Sequence, residues 1–193
     1  MIHSRAYAGI GSRTTPPEIR EAMSSIAARL ARLGWTLRTG GAEGADAAFL
    51  EGALAVGGRV ELYLPWEGFN GHVASLFAGR HPGCSALLAP SPQAALIAAE
   101  HHPAWPRLSP AARALQARNT HQIYGLDPTT PSLSQFVLCW TPSAKGTGGT
   151  GQALRLAAAN SISIFDLAEP TVEQRLRRWL GQPATVSTRD VFG

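Results

Sequence analysis

The 193-residue chain is short of charge, of cysteine and of lysine. Only 16% of its residues are charged against 45% hydrophobic, which excludes a disordered, self-repelling chain and leaves a globular one. Its two cysteines, Cys84 and Cys139, lie far apart and in no CxxC pattern, so a disulfide framework and a cysteine-rich zinc site are excluded. Cys139 sits inside an apolar run, as a buried free thiol in a reducing compartment would. No apolar stretch is long enough to cross a membrane, and the opening MIHSRAYAGIGS lacks the apolar core of a secretion signal. A cytoplasmic protein with no membrane partner is the expectation. Lys145 is the only lysine, and no run of Lys and Arg is present. The net charge of +4 and pI near 9.7 therefore permit a nucleic-acid partner without demanding one. Arginine suits bidentate phosphate recognition, but GC-rich coding enriches Arg and Ala as well.

What is present is an alternation of strand and helix signals. Tyr7–Ile10 is a short apolar run. Thr15-Pro16-Pro17-Glu18 then looks like a helix start with Thr15 as its cap, and Ile19, Met23, Ile26, Leu30 and Leu33 follow as one stripe to a stop at Gly34. Trp35–Thr39 reads as a strand, residues 45–56 as a helix, and the alternating Arg59–Leu64 as a third strand. This order implies a Rossmann-like α/β domain: a parallel sheet with helices on both faces. Residues 65–90 read as a long loop with a short helix. Helices are expected from Ser91 to His101 and from Ser109 to Gly125. Gln135–Trp140 then reads as a strand, Ala144–Gly151 as a loop, Gln152–Asn160 as a helix, Ile162–Leu167 as a strand and Thr171–Leu180 as a last helix. One domain over 1–181 and a loose tail over 182–193 complete the expectation.

Three glycine-rich loops each follow a strand and precede a helix: Gly9-Ile10-Gly11-Ser12-Arg13, Gly40-Gly41-Ala42-Glu43-Gly44 and Lys145-Gly146-Thr147-Gly148-Gly149-Thr150-Gly151. In a parallel sheet all three lie at the C-terminal edge, where ligands bind. Glycine lets backbone approach a ligand, and a helix start offers free N–H groups and the positive end of a dipole. Ser12, Thr147 and Thr150 add hydroxyls, and Arg13 and Lys145 add charge. No GK[ST] follows any loop, and the first fails GxGxxG, so neither nucleotide fingerprint applies.

Ile10-Gly11-Ser12-Arg13, Thr39-Gly40-Gly41-Ala42-Glu43-Gly44-Ala45-Asp46, Arg118-Asn119 with Gly125, and Gly148-Gly149-Thr150-Gly151-Gln152-Ala153 together resemble the ordered blocks of the DprA/LOG (SLOG) superfamily, over roughly residues 5–167. Small chains of this kind with a GGTGQA-like loop are frequent in phages and prophages, which would make the compartment the host cytoplasm. The resemblance implies a Rossmann-like fold and a homo-oligomer. It also implies one of three activities: capture of a nucleotide or nucleotide-derived signal, phosphoribohydrolase-like cleavage of an N-glycosidic bond, or binding of single-stranded DNA. The LOG enzymes use a Glu in PGGxGTxxE, and aligning Gly149-Thr150 places Ala153 there. The DprA-like pattern has a His after the Asp where this chain has Ala47-Ala48-Phe49. Binding of a small nucleotide or other phosphate-bearing ligand is thus the first expectation.

The binding residues expected are Gly11, Ser12, Arg13, Gly40, Gly41, Asp46, Arg118, Asn119, Lys145, Thr147, Gly148, Gly149 and Thr150. Glu43 and Asp46 are the candidate catalytic groups if there is chemistry. Asp46 serves either a ribose or the helix dipole, and Glu43 is either an acid–base group or a solvated loop residue. Arg13 either clamps a phosphate or pairs with Glu18. Trp66, Phe69 and Asn70 either stack on a base or cover the sheet edge, and Trp140 belongs to the core or the rim. His101 and His102 lack a third ligand at zinc spacing and read as a helix-end pair. His121 reads as exposed helix surface. No metal and no cofactor is expected.

Overall fold

A computed structural model describes residues 5–88, 90–142 and 148–180. Lys145, Thr147 and the expected tail over 182–193 lie outside the described residues. The chain runs β1 (Ala6–Gly11), α1 (Pro17–Arg32), β2 (Thr36–Thr39), α2 (Ala45–Leu54), β3 (Val60–Leu64), α3 (Ala74–Arg80), β4 (Ser85–Leu88), α4 (Pro92–Glu100), α5 (Pro110–Tyr124), β5 (Phe136–Trp140), α6 (Gly148–Ala159), β6 (Ser163–Asp166) and α7 (Val172–Trp179). Short 3-10 turns fall at Phe69–Gly71 and Trp105–Arg107. The six described strands form one parallel sheet in the order β4-β3-β2-β1-β5-β6.

Strands buried on both sides need apolar side chains on both sides. β1 meets this by alternation. Tyr7 packs with Met23, Phe49 and Phe136 under α1 and α2, whereas Ala8 and Ile10 join Ile123, Val137, Cys139 and Leu156 under α5 and α6. Beyond them, Trp35, Phe136, Phe165 and Trp179 form an aromatic cluster that seats α7, with Trp179 and Phe136 centroids 4.9 Å apart. Arg38, 2% exposed on β2, donates to Glu61 at 2.7 Å and to the carbonyl of Ser132, which ties the connection before β5 to the sheet.

Several local expectations are corrected. α1 begins with Pro16 at its N-cap and no side-chain cap; Thr15 instead donates its hydroxyl to the Ser12 carbonyl at 2.7 Å. Leu33 is 47% exposed, because α1 ends at Arg32 and Gly34 turns the chain with φ 81° before the stripe completes another turn. Residues 65–90 hold the additional edge strand β4, paired to β3 from Glu61–Ser85 to Leu64–Leu88. α6 starts four residues earlier than the glycines suggest, at Gly148 rather than Gln152.

Candidate ligand cleft at the sheet switch point

Chain order reverses between β1 and β5, where neighbouring strands send their connections opposite ways and leave a crevice at the C-terminal edge. A cleft of about 440 Å³ opens there. Its walls come from the end of β1 (Gly11, Ser12, Arg13), the start of α2 (Ala42, Asp46), the cleft-facing side of α5 (Leu115, Gln116, Arg118, Asn119, Gln122), Thr141 after β5, and the start of α6 (Gly149, Thr150, Ala153).

The β1–α2 wall is closed upon itself. Gly11 runs so near α2 that a Cβ there would lie 2.6 Å from the Ala45 Cβ and 2.9 Å from the Trp140 carbonyl. The Ser12 carbonyl accepts the first helical N–H of α2, from Ala45, at 3.2 Å, and the Ser12 N–H donates to Trp140 at 3.1 Å. At the centre is Asp46, 2% exposed. Its carboxylate accepts the Ala42 N–H at 3.3 Å and faces the backbone amides of Gly40 and Gly11. Two of the three glycine loops thus turn amides toward an internal anion.

Arg118 completes this wall from α5. It is 8% exposed, lies 3.7 Å from the Asp46 carboxylate, and donates to the Gly40 carbonyl at 2.7 Å and the Asn119 Oδ1 at 2.9 Å. A Cβ on Gly40 would strike the guanidinium at 2.2 Å, so glycine is required for this seat. Phe69 lies beneath, its centroid 5.7 Å from the guanidinium carbon. Burial pushes the Asp46 carboxyl up from its ordinary value while Arg118 and the backbone amides hold it down. Burial lowers Arg118, Asp46 opposes that, and the positive charge of Arg13 adds to it.

The α5–α6 wall is open. Asn119 donates to the Gly149 carbonyl at 3.0 Å and anchors the first turn of α6. Gly149 is exposed, and among the described residues a Cβ there would meet nothing closer than the Gln116 Nε2 at 3.9 Å. The buried Gln122 Nε2 has no hydrogen-bond partner. Ala153, 1% exposed, presents a methyl to the cleft one turn below Gly149.

Of the residues expected from sequence, Gly11, Ser12, Arg13, Asp46, Arg118, Asn119, Gly149 and Thr150 come together around the cleft. Gly148 opens α6. Gly40 lies behind Arg118, and Gly41, with φ 65°, backs onto His72; neither lines the cleft. Glu43 is exposed and off the lining. Trp66 and Phe69 pack edge to face 5.3 Å apart, and Asn70 donates to the Gly41 carbonyl at 3.0 Å, so this segment covers the sheet edge behind the site. His101 Nδ1 pairs with the Ile97 carbonyl at 3.0 Å and His102 accepts the Ala104 N–H. Among the described residues no cluster of His, Cys, Asp and Glu could hold a metal ion. His121 is not exposed surface: at 1% exposure it stacks 5.5 Å from Tyr63, pairs through Nδ1 with the Gly125 carbonyl at 2.9 Å and accepts the Ser91 N–H at 3.2 Å. Gln122 follows the Arg118-Asn119 pair in the resemblance but was not put among the binding residues, and Gln116 was not singled out by sequence. Their spacing with Ala112, Leu115 and Asn119 is that of one helix face, which is the signal that would have found them.

Neither a family model nor a curated protein matches the sequence. Solved structures do. The DNA processing protein A of Helicobacter pylori, studied for its single-stranded DNA binding mode, aligns over 97% of this chain and 78% of its own with a TM-score of 0.50 and 18% identity. That of Streptococcus pneumoniae aligns over 97% of this chain with a TM-score of 0.53 and 16% identity, and the alignment spans only 60% of the pneumococcal chain. The chain shares the DprA-like Rossmann fold. A molybdenum cofactor carrier protein from Chlamydomonas reinhardtii also aligns, at TM-score 0.49 and 16% identity over 91% of this chain and 84% of its own. Among the described residues no helix is long and apolar enough to cross a membrane.

Proposed function

We propose that the cleft captures a nucleotide or a nucleotide-derived, phosphate-bearing small molecule. The observation that carries this reading is the meeting of Arg13, Arg118, Asn119 and the first turn of α6 at the one point where the sheet order reverses. Arg13 and Arg118 both line the cleft, so an anion bound there would meet positive charge from β1 and from α5. The start of α6 adds the positive end of a helix dipole, which favours an anion. A volume of about 440 Å³ suits a small ligand.

Binding is favoured over hydrolysis by two features. Ala153 stands where the resemblance to the LOG enzymes calls for a carboxylate. The one carboxylate among the described lining residues, Asp46, is engaged by Arg118 and backbone amides, which leaves it poorly placed to act as a base. The single-stranded DNA binding of the Helicobacter protein supplies the rival reading, and one experiment separates the two.

Isothermal titration of the folded protein with mono-, di- and cyclic nucleotides and ADP-ribose derivatives should give saturable binding by at least one, weakened in Arg13→Ala. No binding by any of them would sink the proposal. Binding of an oligonucleotide alone, with a steep salt dependence, would replace it with the DNA reading.

A further inference from the structure

A guanidinium carries donors only, so the Asn119 atom that takes the Arg118 Nη2 at 2.9 Å is the carbonyl oxygen Oδ1. Asn119 then turns its NH2 group away from Arg118, and both hydrogens are used. One goes to the Gly149 carbonyl at 3.0 Å, which can only accept, and the other to the Gln116 Oε1 at 3.4 Å. With its oxygen engaged, Gln116 has one group left, the Nε2 amide. Chemistry thus fixes the sense of a relay from Arg118 through Asn119 to Gln116, in which each amide accepts on oxygen and donates on nitrogen.

Gln116 Nε2 has no hydrogen-bond partner among the described residues. It differs from the other unpartnered donors of α5: Arg118 Nε and Gln122 Nε2 are sealed from solvent, and Gln116 Nε2 is not. Gln116 is held firmly, at 8% exposure, and lines the cleft. Its Nε2 lies beside the exposed Gly149, 3.9 Å from where a Cβ on that residue would stand. A directed donor therefore flanks the start of α6, a helix of 12 residues whose positive end favours an anion. Hydrogen bonds that run in one sense polarise one another, so the charge of Arg118 strengthens the last N–H of the relay. A phosphate oxygen suits this position. An amine or ammonium group would set donor against donor.

Resting on the nucleotide reading above, we infer that Gln116 is a ligand-contacting residue: its amide NH2 meets a phosphate oxygen beside the first turn of α6, and Arg118 and Asn119 hold the amide in that sense. Arg118 thus acts on the cleft twice, through its charge and through the amide it orients.

The test uses the tightest-binding nucleotide of the titration panel above, the matching nucleoside and inorganic phosphate. Gln116→Leu should bind the nucleotide about tenfold more weakly. Gln116→Glu has the same shape and keeps the bond from Asn119, but turns an anionic oxygen to the cleft; it should lose about a hundredfold or more with a thermal midpoint close to that of the wild type. In NMR spectra of the wild type, the Gln116 side-chain NH2 signal, identified by its loss in Gln116→Leu, should move with the nucleotide and with inorganic phosphate and stay still with the nucleoside. Asn119→Asp supplies an acceptor where Gln116 now meets a donor, so the Gln116 amide should turn over; its NH2 signal should stop responding to phosphate and nucleotide affinity should fall about tenfold. Wild-type affinity in both Gln116 variants, or an NH2 signal that moves with the nucleoside alone, would overturn the phosphate contact and leave the nucleotide reading intact. A signal that responds to phosphate in Asn119→Asp as in the wild type would overturn the positioning role of Asn119. Failure of the wild type to bind any nucleotide would overturn both the contact and the reading it rests on.

Discussion

On the β1–α2 side of the cleft, Gly11 and Gly44 bring backbone against backbone; on the α6 side, Gly149 has no close neighbour among the described residues. A Cβ on Gly44 would lie 2.5 Å from the Ser12 carbonyl, whereas one on Gly149 has its nearest neighbour at 3.9 Å. The first wall has a resident anion, Asp46, that takes up its amides, and the second has none among the described residues. The same residue type after the same kind of strand thus does two jobs. On one wall glycine marks close approach of protein to protein; on the other it has no close neighbour among the described residues.

Four measurements would break or sharpen this contrast. The largest effect is expected from Asp46→Ala, which leaves Arg118 buried without its counter-charge and should cost about 3 kcal/mol or more in urea unfolding. A loss near zero would mean that the pair does not hold the closed wall. Gly11→Ala should come next, costing roughly 1–3 kcal/mol by overpacking against Ala45 and Trp140. The same change at Gly149 should be neutral or stabilise by up to about 1 kcal/mol, since helical backbone favours Ala and space is free. Equal losses at the two glycines would erase the distinction between the walls. The smallest effect is a pH slope from behind the cleft. Burial holds the His121 imidazole, which faces Tyr63, the Gly125 carbonyl and the charge of Asp127, below its ordinary value. The unfolded chain then takes up the proton first, so this contribution to stability is whole above about pH 6.5 and is lost as pH falls from there to the lower folded value. His72, lowered by burial as well, adds in the same direction. Unfolding midpoints that stay flat from pH 8 to 5 in the wild type, and match those of His121→Phe, would refute this.

The sheet and most helices were legible because β1 to β3 and β5 carry continuous or alternating apolar runs and the helices between them end in glycine. β4 was not. Ser-Ala-Leu-Leu is four residues long, lies at the edge with its ends exposed, and shows neither alternation nor length. The first turn of α6 was hidden because Gly-Gly-Thr-Gly has poor helix propensity. The Asn119 bond to Gly149, a contact far off in sequence, favours it all the same. Within the site, Arg118 and Asn119 were found through their resemblance to known blocks, whereas their surroundings were not. Gln116 through Ile123 looks like a solvent-facing polar stretch, yet every residue in it is buried. Polar helices are buried where two other helices and a sheet surround them, which no local pattern encodes. The engagement of Asp46 by both glycine loops was illegible for the same reason: it exists only once β1 and α2 touch.

The pairing of Ala8 with Val137 joins strands that lie most of the chain apart. Either wall can be written down as a local segment, but the cleft exists only across that long-range seam. A ligand that touches both walls therefore acts as a staple on the most non-local junction in the sheet. Its binding energy adds to the cooperative stability of the whole domain rather than to one loop. Slowed hydrogen exchange in β1 and β5 together would be its mark. The protein's capacity to bind would then serve as a measure of whether its two halves are assembled at all.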